Sequence, residues 1–130
     1  MEPQIKPKSK EELALEFGRA MTEMKNFIRQ HIQVKIREHN INITFEMLEV
    51  ISCLWKKDGI NQQEIADITL RDKSSITYLI DNLAKRQMVK RVEDEADRRN
   101  NLIFLTDEGN NLRGTLMPWL AEVYQMATVN

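Results

Sequence analysis

Apolar residues recur at Leu13, Phe17, Met21, Met24, Ile28 and Ile32, about one helical turn apart, and predict one long helix from about Lys10 to Glu38. That length exceeds the usual globular range, so part of the stripe is expected to face another subunit while other turns face the chain's own core. A second helix is expected to open at Thr44 as its N-cap and to carry Met47, Leu48, Ile51 and Trp55 at helical spacing. It should end near Asp58, where "KKDG" supplies cations and then a glycine stop. Asn61 with Glu64 three residues on is a variant capping box for the short helix "NQQEIADIT", which Ile65 and Ile68 would pin to the core. After a turn at "LRD", Asp72 can cap "KSSITYLIDNLAKRQ", in which Ile76, Leu79, Ile80 and Leu83 form a stripe. This order is a helix-turn-helix.

The pattern then changes. "MVKRVEDE" and "NNLIFLT" are rich in β-branched residues, and Val89, Val92, Ile103 and Leu105 supply the apolar positions of a hairpin with "EADRRNN" at its tip. A hairpin directly after the second helix of a helix-turn-helix is a wing. Thr106 can cap the last helix, with Asp107 and Glu108 at its positive end, and Leu112, Leu116, Leu120 and Val123 follow helical spacing. Pro118 should remove one backbone bond and kink that helix. The expected fold class is mainly α with a small β-hairpin wing, a winged helix-turn-helix lobe over about 43–106 between long helices at about 10–39 and 107–130, all in one domain of residues 1–130.

Composition narrows the function classes. With 130 residues, 42% hydrophobic and 30% charged, the chain suits one compact domain, and four glycines with three prolines disfavour a turn-rich sandwich. "MEPQIKPKSKEE" has no apolar signal region and no stretch approaches a membrane span, so a cytoplasmic protein without membrane attachment is expected. Cys53 is the only cysteine, which excludes an internal disulfide and a cysteine-rich zinc site; His31 and His39 are too few to supply a metal centre. No nucleophile–base pair, phosphate-cradling glycine loop or ligand cluster is present, so no catalytic residue, metal or cofactor is expected. The formal charge of −1 means that nucleic-acid binding would require cations gathered on one face.

Such a gathering exists. From Arg71 to Arg91 six cations stand against two acids, leaving +4. Opposite the apolar stripe lie Ser74, Ser75, Thr77, Tyr78 and Asn82, flanked by Arg71 and Lys73, a set of hydrogen-bonding groups suited to the major groove near a helix N-terminus. An ordinary solvated helix face is the competing reading. At the hairpin tip, arginine can enter the narrow minor groove. Asp97, two residues before Arg99, can hold that guanidinium outward, against the alternative of a solvated surface pair worth about 0 to 1 kcal/mol.

Together, "QQEIADIT", "DKSSITYLIDNLAKRQMVKRVEDEADRRNNLIFLTDEG" and the D-x-R then L-T-x-x-G pattern, here Asp97, Arg99, Leu105, Thr106 and Gly109, resemble the multiple-antibiotic-resistance regulator (MarR) family over roughly Ile43 to Leu112. The resemblance implies a homodimer that binds double-stranded DNA at a pseudo-palindromic operator, paired through its first and last helices. The helix from Lys73 would lie in the major groove, Arg99 in the minor groove, and Arg98, at a variable position, on phosphate. It also implies a repressor relieved by a small aromatic or phenolic ligand in a crevice to which Trp55, Phe27, Met24 and His31 could contribute, although apolar residues at helical spacing are more often core and no ligand residue is assigned. Cys53, set among Ile51, Leu54 and Trp55, fits an inert buried thiol better than a sensor. Family members carry a further helical stretch that clasps the partner, and this sequence ends at Asn130, which bears on dimer strength. The rival reading is a winged-helix module that binds an acidic protein instead of DNA.

Overall fold

A computed structural model describes residues 6–128; residues 1–5 and 129–130, the ends of the single-domain span expected from sequence, lie outside the described residues. Helix α1 (Lys10–Glu38) starts where the Ser9 side chain accepts from the Glu12 amide at 3.1 Å, with Glu11 and Glu12 in its first turn and Lys35 and Arg37 in its last. Asn40 in the left-handed region (φ 54°) ends it, and the Ile41 amide reaches back to the Ile36 carbonyl at 3.0 Å. Only Ile32 and Ile36 of this helix are buried. Leu13, Phe17 and Met21 are exposed, Phe17 to 67%, so the forward half of the predicted stripe has no cover among the described residues.

Helix α2 (Phe45–Lys56) is capped by Thr44, whose hydroxyl accepts from the Met47 amide at 3.1 Å. Strand β1 (Ile60–Asn61) leads into helix α3 (Gln62–Thr69), where Asn61 and Glu64 form the expected capping box. Ile65 is fully buried, but Ile68 is exposed, so one anchor of the predicted pair does not reach the core. Leu70 closes α3 at φ 54° and is 91% exposed, a conformation unusual for a non-glycine residue. Helix α4 (Lys73–Lys85) follows, capped by Asp72, with Ile76, Leu79, Ile80 and Leu83 all buried.

Strands β2 (Val89–Glu93) and β3 (Asn101–Leu105) form the antiparallel hairpin, with Val89 opposite Leu105 and Glu93 opposite Asn101. The sheet has a third strand that the sequence pattern did not indicate: β1 pairs antiparallel with β3, Ile60 opposite Ile103, giving the order β1-β3-β2. Gly59 precedes it at φ 73°, and a β-carbon there would strike the Phe104 ring, so glycine meets both a backbone and a space requirement. Side chains alternate along a strand, which puts Val89 and Val92 on opposite faces. Val89 is buried and Val92 is 40% exposed.

Helix α5 (Asp107–Thr128) runs on through Pro118 and packs on α1, burying Leu112, Leu116, Trp119 and Val123. Its start is tied to three other parts of the chain. Thr106 accepts from the Gly109 amide at 3.1 Å and donates to the Gln87 carbonyl at 2.5 Å, while its own amide donates to the Met88 carbonyl at 3.1 Å. The Trp55 indole donates to the Gly109 carbonyl at 2.9 Å. A β-carbon on Gly109 would overlap the Met88 carbonyl oxygen.

Gly109→Ala is therefore expected to destabilise the chain by about 2 to 4 kcal/mol, since backbone must move to admit the methyl group. Trp55→Phe, which keeps most of the apolar volume but loses the indole donor, should cost about 1 kcal/mol. Denaturant unfolding of the two variants checks both the size and the order of these losses.

Candidate nucleic-acid interface

Burial of its apolar stripe turns the other side of α4 to solvent. Ser74, Thr77 and Tyr78 are exposed, Tyr78 to 68%, while Ser75 and Asn82 are half-buried on the flanks. Asp72 sets the start of this face. Its carboxylate accepts the Ser75 amide at 3.2 Å and the Ser75 hydroxyl at 2.5 Å. These bonds, the hydroxyl first, hold the Asp72 carboxyl below the usual aspartate range.

Several side chains read from the sequence as DNA contacts also serve the fold. Thr77 donates to the Lys73 carbonyl at 3.0 Å and accepts from Gln62 at 2.9 Å. Asn82 donates to the Tyr78 carbonyl at 2.8 Å and accepts from Arg86 at 3.3 Å. Arg71 pairs with Glu49 of α2 at 2.9 Å, and its Nε is buried without a hydrogen-bond partner among the described residues. Arg86 donates to the Asn42 carbonyl at 2.5 Å, and Arg91 donates to Asp81 at 2.6 Å and to Gln62 at 3.2 Å. Three of the six cations counted along this segment thus hold elements together. Lys73, Lys85 and Lys90 remain exposed, and Arg98 and Arg99 add to them from the wing.

The wing tip is an ordered loop built by two aspartates. Asp94 accepts from the Ala96 amide at 3.0 Å and from the Asn100 side chain at 3.2 Å, and its own amide donates to the Asn100 carbonyl at 3.0 Å. Asp97 accepts from the Arg99 amide at 3.1 Å. The expected carboxylate–guanidinium pair is replaced by this backbone bond: among the described residues, Asp97 forms no ion pair with either wing arginine. Asp97 thus bonds the backbone at Arg99, and among the described residues the Arg99 guanidinium has no side-chain partner. Asp94 is a turn former.

The fold also joins wing to helix. Arg99, Asn100 and Asn101 share with Lys73, Gln62 and Gln63 a cleft of about 160 Å³ between the wing and the start of α4. Arg98 is exposed and is not part of it. The sequence reading missed Gln62, Gln63 and Asn101. Their only signal was proximity to the cap at Asn61 and to the strand start, because the cleft forms from segments far apart in sequence.

A second concavity lies away from the reading face. Ala20, Met21, Met24, Lys25, Ile28 and Phe45 line an open apolar groove of about 460 Å³ between α1 and the start of α2. Of the residues considered for a ligand crevice, Met24 lines it; Trp55 is committed to Gly109, and Phe27 and His31 lie elsewhere on α1, their rings 6.5 Å apart. Near this groove Glu46 pairs with Arg29. Burial alone would raise the Glu46 pKa, but a backbone hydrogen bond and Arg29 outweigh it and lower the value. Burial pushes the Cys53 thiol up, and its Sγ donates to the Glu49 carbonyl at 3.4 Å, an arrangement unfavourable to thiolate chemistry. Among the described residues no three His, Cys, Asp or Glu side chains are grouped to hold a metal ion, and no helix is long and apolar enough to cross a membrane.

Residues 43–100 match the MarR family. The chain is similar to the HTH-type transcriptional regulator MhqR of Bacillus subtilis (strain 168), with 32% identity over 104 residues that cover 78% of this chain and 70% of MhqR. Matches to other curated regulators span less, 38% of one protein's length and 51% of another's. Among solved structures, a MarR transcriptional regulator from Methanosarcina mazei Go1 superposes with a TM-score of 0.77 at 26% identity, covering 88% of this chain and 82% of that one. The S. aureus MepR–DNA complex shares the fold with a TM-score of 0.73 at 23% identity, covering 85% and 81% of the two chains.

The Asp72 cap makes a prediction about acid. A carboxyl whose folded pKa lies below its unfolded value contributes stability that is present above the unfolded pKa and lost as pH falls through the folded one. Wild-type stability should therefore fall more steeply below about pH 4 than that of Asp72→Asn, which keeps a capping oxygen but cannot ionise. Parallel acid limbs in denaturant titrations of the two proteins would contradict this role for the ionised cap.

Proposed function

The chain belongs to the MarR family of winged helix-turn-helix transcriptional regulators, and from that premise we propose that it binds a pseudo-palindromic operator as a homodimer. The single observation that carries this reading is the cleft in which Lys73 of α4 and Arg99 of the wing meet. The start of α4 and the hairpin tip thus each bring a cation to one cleft, the arrangement needed to span neighbouring grooves. In this reading Ser74, Ser75, Thr77 and Tyr78 face bases in the major groove, Lys73 holds phosphate, Arg99 enters the minor groove and Arg98 meets the backbone. Arg71 and Asn82 act one step back, Arg71 by tying the turn before α4 to α2 and Asn82 by holding Arg86.

The division of labour follows the helices. Residues 43–106 form the reading lobe, and α1 and α5 pair with their counterparts across a twofold axis, covering Leu13, Phe17 and Met21. The protein acts as a cytoplasmic repressor. A small aromatic or phenolic anion, entering the groove beside Lys25 and Phe45, alters the distance between the two reading heads and releases DNA. The alternative, a protein-binding module, has no specific observation in its favour.

Binding titrations at several salt concentrations, on operators that differ only in their flanks, test the two wing roles. Arg99→Ala should lose more affinity on operators with A·T-rich flanks, where the minor groove is narrow. Arg98→Ala should weaken all sequences alike and reduce the salt slope by about 1. Equal, flank-independent losses would reject the minor-groove assignment. Sedimentation should find a dimer at the concentrations that bind DNA, and a monomer throughout would reject the paired-head arrangement.

A further inference from the structure

A hydroxyl carries one proton, so a serine or threonine that has already donated it can only accept. At the start of α4 two protons are spent within the chain. The Ser75 hydroxyl donates to the Asp72 carboxylate at 2.5 Å, and the Thr77 hydroxyl donates to the Lys73 carbonyl at 3.0 Å while also accepting from Gln62 at 2.9 Å. Ser75 keeps its acceptor capacity and Thr77 keeps part of it. Ser74 and Tyr78 differ: neither side chain is hydrogen-bonded among the described residues, so each hydroxyl can donate or accept.

Resting on the operator-binding reading, we propose that Ser75 and Thr77 face the major groove as acceptors only, so that each half-site carries adenine or cytosine at the steps these hydroxyls meet. Adenine and cytosine present an amino group in that groove, whereas guanine O6 and N7 and thymine O4 are acceptors. An acceptor set against an acceptor is repulsive. Turning the Ser75 proton toward a keto oxygen would break a short, charge-assisted bond and leave a carboxylate facing DNA with one partner fewer. Asp72 is thus a positioning residue that fixes the direction of a hydrogen bond made by Ser75, and Gln62 helps to fix that of Thr77.

The test begins with the full chain selecting bound duplexes from a random pool. The wild-type half-site should hold adenine or cytosine at the step whose preference is lost in Ser75→Ala. Replacing that adenine by purine, or that cytosine by pyrimidin-2-one, removes only the amino group; this should weaken the wild type about tenfold and leave Ser75→Ala unaffected. Asp72→Asn retains a good helix cap but a weaker, neutral acceptor, and should raise the relative affinity for guanine or thymine at that step several-fold. A simple capping role would change affinity without changing this preference. Guanine or thymine enriched at the Ser75 step, or equal cost of amino removal in wild type and Ser75→Ala, would overturn the inference alone. A pool with no enriched sequence would overturn operator binding itself.

Discussion

The close approach of Gly109 to the Met88 carbonyl is the constraint on which the other parts depend. Met88 lies between α4 and β2: its amide donates to the Leu83 carbonyl at 3.0 Å, and its own carbonyl accepts from Thr106. Thr106 ends the hairpin and opens α5, and Trp55 of α2 bonds the next turn through the Gly109 carbonyl. The end of the recognition helix, the base of the wing, the first turn of the last helix and the core of α2 therefore meet within a few residues. Only a residue without a β-carbon lets them do so.

The reading face shows how polar residues are divided between structure and recognition. Long guanidinium groups with several donors are used as ties: Arg71 to α2, Arg86 to the Asn42 carbonyl and Arg91 to both α3 and α4. Lys73, Lys85 and Lys90, whose single charged ends favour hydration, stay exposed. A cation count along a segment overstates the charge available to a ligand whenever arginines hold the fold. The wing reverses the division: among the described residues its arginine side chains have no partner, while two aspartates bend the loop under them.

The first helix also carries an apolar surface that the described residues leave uncovered. Phe17, Met21 and Leu13 lie on the forward half of α1, and burial of such side chains is worth about 1.5 to 3 kcal/mol each. Leaving them in water forgoes that gain, which a second copy would recover. The adjoining groove between α1 and α2 continues this surface, and Met21 belongs to both.

Most elements were legible because their signals are local. Thr44, Asn61 and Asp72 each cap the helix that follows, and the stripe of Ile76, Leu79, Ile80 and Leu83 turns inward, since capping and periodicity operate over three or four residues. The D-x-R and L-T-x-x-G pattern carried the family likeness, and Gly109 now has a steric reason. What sequence could not decide were the partners of the polar groups. Whether Thr77 meets Gln62, Arg71 meets Glu49 or Asp97 meets an amide instead of a guanidinium depends on how distant segments pack, as does pairing of the two-residue β1 with β3. Periodicity also overstated the inward reach of Ile68 and Val92, because it names an apolar residue without knowing where the core ends. Sequence by itself determined where helices begin and which face of α4 turns inward, both local matters of backbone geometry; only the tertiary structure decided which hydrogen bonds were already spent, because a donor's partner is chosen in space and not along the chain.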